Sequence, residues 1–349
     1  MALQENDQRS PVAEFDPAFR RDVLEGLSRR PRAIPACWLY DRSGSELFEA
    51  ITMLPEYYPT RAERSILSRA ASEIAGLTGD ARAVVEFGSG SSSKTPILLS
   101  AVNPSAYVPI DISIDFLWES AERLSAMFPN LPVYPIEADF TGTLQLPRAI
   151  ENVPRLGFFP GSTIGNLVVP AAVDLLRMMA KTLGRGSMLL IGIDRIKNTD
   201  ALLPAYDDAQ GVTAAFNLNI LHRINRDLRG TVPVDAFRHV ARWNEAEARI
   251  EMHLMAARDV RFTVDGRHFS MARGEAIHTE NSLKYGPHAA NVLLRAGGWT
   301  PIAHWTDDGE LFSVILAKEG AARSDPLVKL SQTDAVDRLA FRRVISVGD

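Results

Sequence analysis

The stretch VVEFGSGSSSKT, at residues 84 to 95, decides the fold of this chain. It begins as a β-rich run, turns through glycines at positions 88 and 90, and leads into TPILLSAV, a segment that suits a helix. Glycines at such a turn let the backbone approach a ligand, and the first N–H groups of the helix are free to bind one. The stretch therefore predicts a strand, a ligand-binding turn and a helix, in that order.

Strand-like runs and helix-like segments alternate around this stretch. The β-rich runs are ARAVVEF (81–87), AYVPIDI (106–112), LPVYPIEADF (131–140), RLGFFPGSTIGN (155–166) and SMLLIGID (187–194). Their alternation with helices predicts an α/β, Rossmann-like fold with an open, doubly wound and mostly parallel sheet. Ligands bind such sheets beyond the carboxyl ends of the strands, where the glycine-rich turn, Asp111, Asp139 and the loop at 161–166 fall.

A second lobe interrupts this pattern from about residue 198 to residue 284. There a helix-like stretch, AAFNLNILHRINRDL, precedes several strand-like runs. The sheet resumes with a helix near HAANVLLRAGG and two strands, WTPIAHWT and LFSVILAK, joined by the hairpin signal DDG, which predicts an antiparallel edge strand. The predicted organisation is a sheet domain at 61–197 and 285–320, a second lobe at 1–60 and 198–284, and a tail at 321–349 whose role is open.

Composition describes a globular chain without a general attraction to nucleic acid. Hydrophobic residues make up 46% of the 349 residues, enough for a large core, and the formal net charge is -5. The basic stretch HRINRDLR (222–229) is best interpreted as a solvated helix face. The polar start of the chain and the lack of an apolar run that could span a bilayer predict a cytoplasmic protein without a membrane partner, and we expect a monomer.

Disulfide and metal chemistry are not expected. Cys37 is the single cysteine, so an internal disulfide is impossible, and we expect a buried structural thiol beside Trp38. The histidines, among them His278, His288 and His304, are scattered, and none forms an i, i+4 pair of metal ligands with another.

Three cofactor classes compete for the glycine-rich turn. A nucleoside-triphosphate loop needs glycine immediately before Lys94, but Ser93 stands there. A dinucleotide site also prefers glycine at that position, so the nicotinamide alternative is weakened and stays open. The third class is the S-adenosylmethionine (SAM) site of methyltransferases, in which an acid precedes the turn because the ligand carries an ammonium and a sulfonium.

The chain fits the SAM pattern at three successive strand ends. The acid and turn are Glu86, Gly88, Ser89 and Gly90. Asp111, at the end of the next strand, is spaced to accept hydrogen bonds from ribose hydroxyls. Asp139 and Phe140 follow the third strand. The carboxylate suits the amino group of adenine, and the ring suits the face of adenine.

Most of the chain, from Trp38 to about Lys318, resembles the histidine Nα-methyltransferases of ergothioneine biosynthesis. The words that carry the resemblance are LYDRSGSELFEAIT, LPEYYPTRAE, EFGSGSSSKT, PGSTIGNL, AYDDAQGVTAAFNLNIL, FRHVARWNEAEARIEMHL and IHTENSLKY. The resemblance implies an enzyme that methylates the α-amino group of L-histidine three times to give hercynine. It implies that the sheet domain binds SAM and that the second lobe binds the substrate.

The resemblance also implies roles for individual residues. Lys94 joins the SAM contacts, and Tyr57, Gly161, Asn166 and Tyr206 are expected to hold the amino and carboxylate groups of the substrate. The residues expected at the ring are Glu280 and Ser282, which hold the imidazole, and Phe216 and Met252, which shape the pocket. Tyr40 is expected near the amine, where it and Asn166 are the candidate catalytic residues.

Three other functions remain open on the sequence. The nearest is a related enzyme for another free amino acid, such as tryptophan or tyrosine, whose ring would have no need for Glu280. The others are a nicotinamide-dependent oxidoreductase and a catalytically silent binding protein.

Overall fold

The computed structural model describes residues 16–140, 142 and 144–320; the predicted tail at 321–349 lies outside them. The strands are β1 (Arg32–Ala33), β2 (Ala83–Phe87), β3 (Ala106–Asp111), β4 (Ile136–Glu137), β5 (Arg155–Phe159), β6 (Met188–Asp194), β7 (Phe237–Asn244), β8 (Arg249–Ala256), β9 (Val260–Val264), β10 (Arg267–Met271), β11 (Ala276–Leu283), β12 (Trp299–Thr306) and β13 (Phe312–Glu319). The helices are α1 (Pro17–Ser28), α2 (Arg42–Thr52), α3 (Tyr58–Thr78), α4 (Thr95–Val102), α5 (Ile114–Met127), α6 (Val169–Leu183), α7 (Thr199–Tyr206), α8 (Val212–Asp227) and α9 (Pro287–Ala296). Short 3-10 helices lie at Ala36–Leu39, Arg148–Ile150, Thr163–Asn166 and Val234–Ala236.

Within the described residues, the main sheet has seven strands in the order β12-β13-β6-β5-β2-β3-β4. The five strands from β6 to β4 are parallel, whereas β13 runs antiparallel to β6 and pairs with β12 through the predicted hairpin. The order reverses between β2 and β5, and this switch point is where doubly wound sheets bind ligands. The predicted fold class and the antiparallel edge strand are confirmed.

The third predicted strand is much shorter than expected. The run at 131–140 forms only the two residues Ile136–Glu137 of β4, with one isolated bridge at Val133. Pro132 and Pro135 interrupt the run, and because proline has no N–H to donate, a strand that contains it pairs weakly and stays at the sheet edge.

Apolar side chains cover both faces of this sheet. One cluster packs β2, β3, β5 and β6 against α6 and α9, and another packs the opposite face against α3 and α4. All five residues of β2 and all seven of β6 are buried, as expected for central parallel strands with helices on both faces. The ends of these strands therefore have fixed positions.

A separate apolar cluster joins the N-terminal helices to the inserted segment. It contains side chains from α1, α2, α8, β8 and β11, for example Phe19, Phe216 and Met252. The strands β1, β11, β8 and β7 form a second sheet, and burial in β8 alternates residue by residue, as in a sheet with one packed face. The domain boundaries at 60/61, 197/198 and 284/285 stay a prediction.

Two sequence-based expectations concern the surface. Cys37 is exposed rather than buried, so the expectation of a buried structural thiol is wrong. Across the described residues, no helix combines the length and the apolar character that a membrane crossing requires.

Candidate functional site

A cavity of about 630 Å³ opens at the carboxyl end of the main sheet and extends to β11. Every residue predicted from the sequence to contact the cofactor lines it, namely Glu86, Gly88, Ser89, Gly90, Lys94, Asp111, Asp139 and Phe140. So does every residue predicted to contact the substrate, namely Tyr40, Tyr57, Gly161, Asn166, Tyr206, Phe216, Met252, Glu280 and Ser282. The fold thus brings the two sets to one cavity, while the role of each residue stays a prediction.

The glycine-rich turn is held by the end of β3. Gly90 N donates to Asp111 Oδ2 over 2.8 Å, and Ser113 N donates to the other carboxylate oxygen over 2.9 Å. Gly88 has a φ of +71°, and a Cβ there would lie 3.2 Å from Cε1 of Phe140. Only glycine combines this backbone conformation with so close a ring, so the turn and Phe140 form one compact wall.

The buried polar atoms of the turn fit a polar ligand. Ser89 Oγ is buried and has no hydrogen-bond partner among the described residues. Because a buried hydroxyl without a partner is unfavourable, its position predicts a bound group that completes its hydrogen bonds. The turn therefore fits the SAM that the sequence predicts.

Glu86 has a structural role that the sequence did not reveal. Its Oε2 accepts from Tyr107 Oη over 2.6 Å and from Thr95 Oγ1 over 2.8 Å, which ties β2 to β3 and to the first residue of α4. Burial raises its pKa to about 8, against the opposing effect of these two hydrogen bonds. The predicted contact of Glu86 with the ammonium of the cofactor stays a prediction.

Glu63 of α3 is a site residue that the sequence analysis missed. It is fully buried and accepts from Lys94 Nζ over 2.5 Å and from Gly161 N over 2.9 Å. It thereby joins the glycine-rich turn to the loop that follows β5. A Cβ on Gly192 would lie 2.0 Å from Glu63 Oε1, so β6 needs glycine beneath this carboxylate. A signal was present, because Glu63 shares the buried helical stripe of Ile66 and its neighbours, where an acid requires a cation.

Glu280 lies at the other end of the cavity, buried on β11. Its Oε1 accepts from Asn166 Nδ2 over 3.1 Å and from Tyr40 Oη over 3.3 Å. Burial raises its pKa to about 7, although the Tyr40 hydrogen bond and the charge of Lys284 oppose the increase. The two residues predicted at the amine and the acid predicted at the ring are therefore in direct contact.

Aromatic rings enclose this end. Tyr40 packs against Phe216 and Phe48, with ring centroids 5.4 and 5.6 Å apart, and Phe48 continues to Tyr57 at 6.2 Å. Tyr57 in turn lies 6.3 Å from Tyr206. Phe48, on α2, was missed, although it falls within the word LYDRSGSELFEAIT. Edge-to-face packing of this kind gives a close-packed, well-defined wall.

No group of three or more histidine, cysteine, aspartate or glutamate residues is placed to hold a metal ion anywhere in the part of the chain that the structure describes. The site therefore offers hydrogen-bond donors, buried acids and aromatic faces.

A doubly wound sheet whose glycine-rich turn, strand-end acid and adjacent aromatic ring line one cavity fits the class of SAM-dependent methyltransferases. The family described as "Histidine-specific methyltransferase, SAM-dependent" matches residues 19–319, and the chain belongs to it. This membership decides between the cofactors that the turn left open, in favour of SAM over a nicotinamide.

Named relatives agree with this membership. The chain is 41% identical to the histidine N-alpha-methyltransferase of Mycolicibacterium smegmatis over 86% of its own length and 94% of that protein. It is 29% identical to ergothioneine biosynthesis protein 1 of Neurospora crassa over 82% of its length and 33% of that protein. It is 28% identical to the L-tryptophan methyltransferase trpM of Psilocybe serbica over 86% of its length and 92% of that protein.

Proposed function

We propose that this protein transfers methyl groups from SAM to the α-amino group of L-histidine, three times in all, and so forms hercynine for ergothioneine biosynthesis. The family and the mycobacterial relative support histidine as the substrate. We also propose that it works as a monomer in the cytoplasm.

The observation that carries this proposal is the burial of the Glu280 carboxylate in the wall of the cavity. A buried carboxylate at the end of an aromatic pocket is unfavourable unless a ligand or a side chain donates to it. An imidazole N–H is such a donor, and its bond to an ionised acid is charge-assisted, whereas a phenyl ring would add no donor to those that Asn166 and Tyr40 already give the acid. The pocket therefore favours a polar ring over an apolar one.

Asn166 and Tyr40 orient the amine in this proposal. Because Asn166 Nδ2 donates to Glu280, the amide oxygen of Asn166 points away from that acid and is available to accept an N–H of the substrate amine. The nucleophile must be a neutral amine, and no second carboxylate in the predicted substrate set is aimed at it, so water is the final proton acceptor. SAM supplies the electrophilic methyl group.

The aromatic walls serve the later rounds. Each methylation makes the amine bulkier and leaves fewer N–H groups, so ring faces suit the product better than a tight set of acceptors. Tyr40, Tyr57 and Phe216 provide such faces, and a cation over an aromatic ring gains about 0.5–2 kcal/mol. The cofactor contacts proposed are those of the glycine-rich turn together with Lys94, Asp111, Asp139 and Phe140.

Mass spectrometry of the product tests the proposal. Purified protein with SAM and L-histidine is expected to give a product that carries three methyl groups on the α-nitrogen and is heavier than histidine by three CH2 units. Glu280→Ala is expected to remove most of the affinity for histidine while the affinity for SAM is retained. Methylation of tryptophan or tyrosine with histidine left unchanged would contradict the proposal and would indicate a relative of the tryptophan enzyme.

A further inference from the structure

Lys284 is a buried cation directly behind the wall of the cavity. Its side chain is 0% exposed, and it follows β11 two residues beyond Ser282 and four beyond Glu280. Since alternate residues of a strand lie on one face, the sequence E-x-S-x-K aligns the three side chains. Glu280 and Ser282 line the cavity, and Lys284 lies deeper.

The three N–H groups of the Lys284 ammonium are all engaged. Its Nζ lies 2.6 Å from Asp194 Oδ2, 2.6 Å from Tyr206 Oη and 2.7 Å from Ser282 Oγ. An ammonium has three donors and no acceptor, so both hydroxyl oxygens accept from it. The polarity of these two hydrogen bonds is therefore fixed.

Asp194 keeps this ammonium in place. It also accepts from Lys197 Nζ over 2.5 Å and from Tyr58 Oη over 2.8 Å. Burial alone would raise the pKa of Asp194, but the charges of Lys284 and Lys197 outweigh it and lower that pKa. The carboxylate therefore stays ionised between two lysines.

The arrangement makes the cavity wall a hydrogen-bond donor. Tyr206 Oη and Ser282 Oγ lie 2.7 Å apart, so one of the two hydroxyl protons lies between them. Tyr206 Oη already accepts from Lys284, and a phenol oxygen accepts a second hydrogen bond poorly, so its own proton lies towards Ser282 Oγ. Ser282 Oγ then accepts from both Lys284 and Tyr206, which fills its two lone pairs, and the Ser282 proton is available to a group in the cavity. Without the ammonium, the same pair could accept from a ligand as readily as donate to it.

We propose that Lys284 is a positioning residue for substrate selectivity, which forces the Tyr206–Ser282 pair to donate and so requires a ring that carries an acceptor nitrogen. This inference rests on the proposed function. Neutral imidazole has one N–H, which Glu280 accepts, and one acceptor nitrogen, to which Ser282 Oγ donates. Tyr206, which is expected at the amino and carboxylate groups, acts on the ring only through its hydrogen bond to Ser282. A ring with an N–H and no acceptor nitrogen leaves the hydroxyl donor without a partner.

The test compares L-histidine with its two pyrrole analogues, β-(pyrrol-2-yl)-L-alanine and β-(pyrrol-3-yl)-L-alanine. Both analogues keep a ring N–H and lack the acceptor nitrogen. Dissociation constants are measured by calorimetry with S-adenosylhomocysteine bound. The unmodified protein is expected to prefer histidine over both, and Lys284→Met is expected to reduce that preference roughly tenfold, because a buried donor left unpaired disfavours the pyrroles only while the lysine enforces it.

Lys197→Met is the matched control. It removes the other lysine of Asp194 and touches neither Tyr206 nor Ser282, so the preference for histidine is expected to stay within about twofold of the unmodified value. In Lys284→Met, Asp194 keeps Lys197, so no buried carboxylate is left without a cation. Retained affinity for S-adenosylhomocysteine reports that each variant is folded. If Lys284→Met does not fold, Lys284→Gln, which keeps two donors, takes its place.

The outcomes separate this inference from the proposed function. An equal loss of affinity for histidine and for the pyrroles, or an unchanged preference in Lys284→Met and Lys284→Gln, would overturn the role of Lys284. An equal loss is also the result expected if the hydroxyl pair serves the substrate carboxylate. Failure of the unmodified protein to bind or methylate histidine would overturn the proposed function instead.

Discussion

Glu280 is buried in a pocket whose remaining walls are largely aromatic, so its protonation depends on pH in the range where enzymes work. Its pKa rises from 4.5 to about 7, with burial as the main cause. A carboxyl whose pKa is raised by folding stabilises the protein most below its unfolded pKa, and that stabilisation is lost as pH rises through the folded pKa. The ligand-free protein should therefore be less stable at neutral pH than at mildly acidic pH on account of this residue.

Glu280→Gln isolates this effect, because the amide has nearly the same shape and does not titrate. Between about pH 5 and about pH 8, the unmodified protein should lose about 2–3 kcal/mol more of its free energy of unfolding than the variant does. Urea denaturation at several pH values measures the difference. Parallel curves for the two proteins would mean that Glu280 has an ordinary pKa and that the pocket is wetter than its burial indicates.

The ion pair of Glu63 and Lys94 is expected to stabilise the fold as a coupled pair of charges. Glu63 is 0% exposed and the Lys94 side chain 14%, so removal of either charge leaves the other poorly hydrated. Glu63→Gln keeps an acceptor for Gly161 N and should lower the free energy of unfolding by about 2–4 kcal/mol. Lys94→Met should do the same, and the double variant should lose less than the sum, since neither charge then stands alone. Strict additivity in urea denaturation would contradict a coupled pair.

Helix α8 joins the N-terminal segment to the insertion through Arg223, so the prediction that residues 222–229 form a solvated face is wrong at this position. The guanidinium lies 4.5 Å from the ring centroid of Phe19 and 5.3 Å from that of Trp38, and it donates to the Trp38 carbonyl over 2.9 Å. The sequence analysis missed this contact because it took the charged residues of this stretch to be solvated. A guanidinium, however, can stack on aromatic rings while it stays charged.

Arg223→Ala should lower the free energy of unfolding by about 1–2 kcal/mol, through loss of stacking and of the buried stem. Arg258→Ala is the control, because its side chain is 57% exposed and pairs with Asp235, which is 74% exposed, at the surface, where an ion pair contributes about 0–1 kcal/mol. Equal effects of the two substitutions would mean that the stack contributes nothing beyond surface charge.

Elements defined by local signals agree best with their predictions. Helix α4 spans Thr95–Val102, the segment predicted. Its start is marked by a proline in the first turn and its end by Asn103 in the left-handed conformation, and both signals are local. Strand β4 was overestimated where two prolines stand. The partners of Glu63 and Lys284 were missed for a different reason: Lys94 and Asp194 are distant along the chain. Only the packing of α3 on the main sheet, and the hydrogen bond of Tyr285 N to the Asp194 carbonyl at the end of β6, bring the charges together. Local patterns do not contain that information.

The molecule as a whole places its two predicted ligand sites on one loop. Gly161, at the start of this loop, is bound by Glu63 beside Lys94, at the cofactor end of the cavity. Asn166, at its end, is bound to Glu280 at the substrate end. The loop at 161–166 therefore contacts both ends of the cavity. A ligand that moves or fixes this loop at one end changes the binding of the ligand at the other end.

Such a shared segment predicts positive coupling between the two ligands. We expect the first ligand to fix the loop and the second then to bind without that entropic penalty, so S-adenosylhomocysteine should raise the affinity for L-histidine at least about fivefold. Linkage requires that histidine raise the affinity for S-adenosylhomocysteine by the same factor, and calorimetric titrations in both orders measure the two factors independently. Asn166→Ala cuts the contact of the loop with Glu280, so it should bring the factor close to one while S-adenosylhomocysteine alone binds as before. A factor of one in the unmodified protein would mean that the two ends of the cavity bind independently and that the loop is already fixed by Glu63.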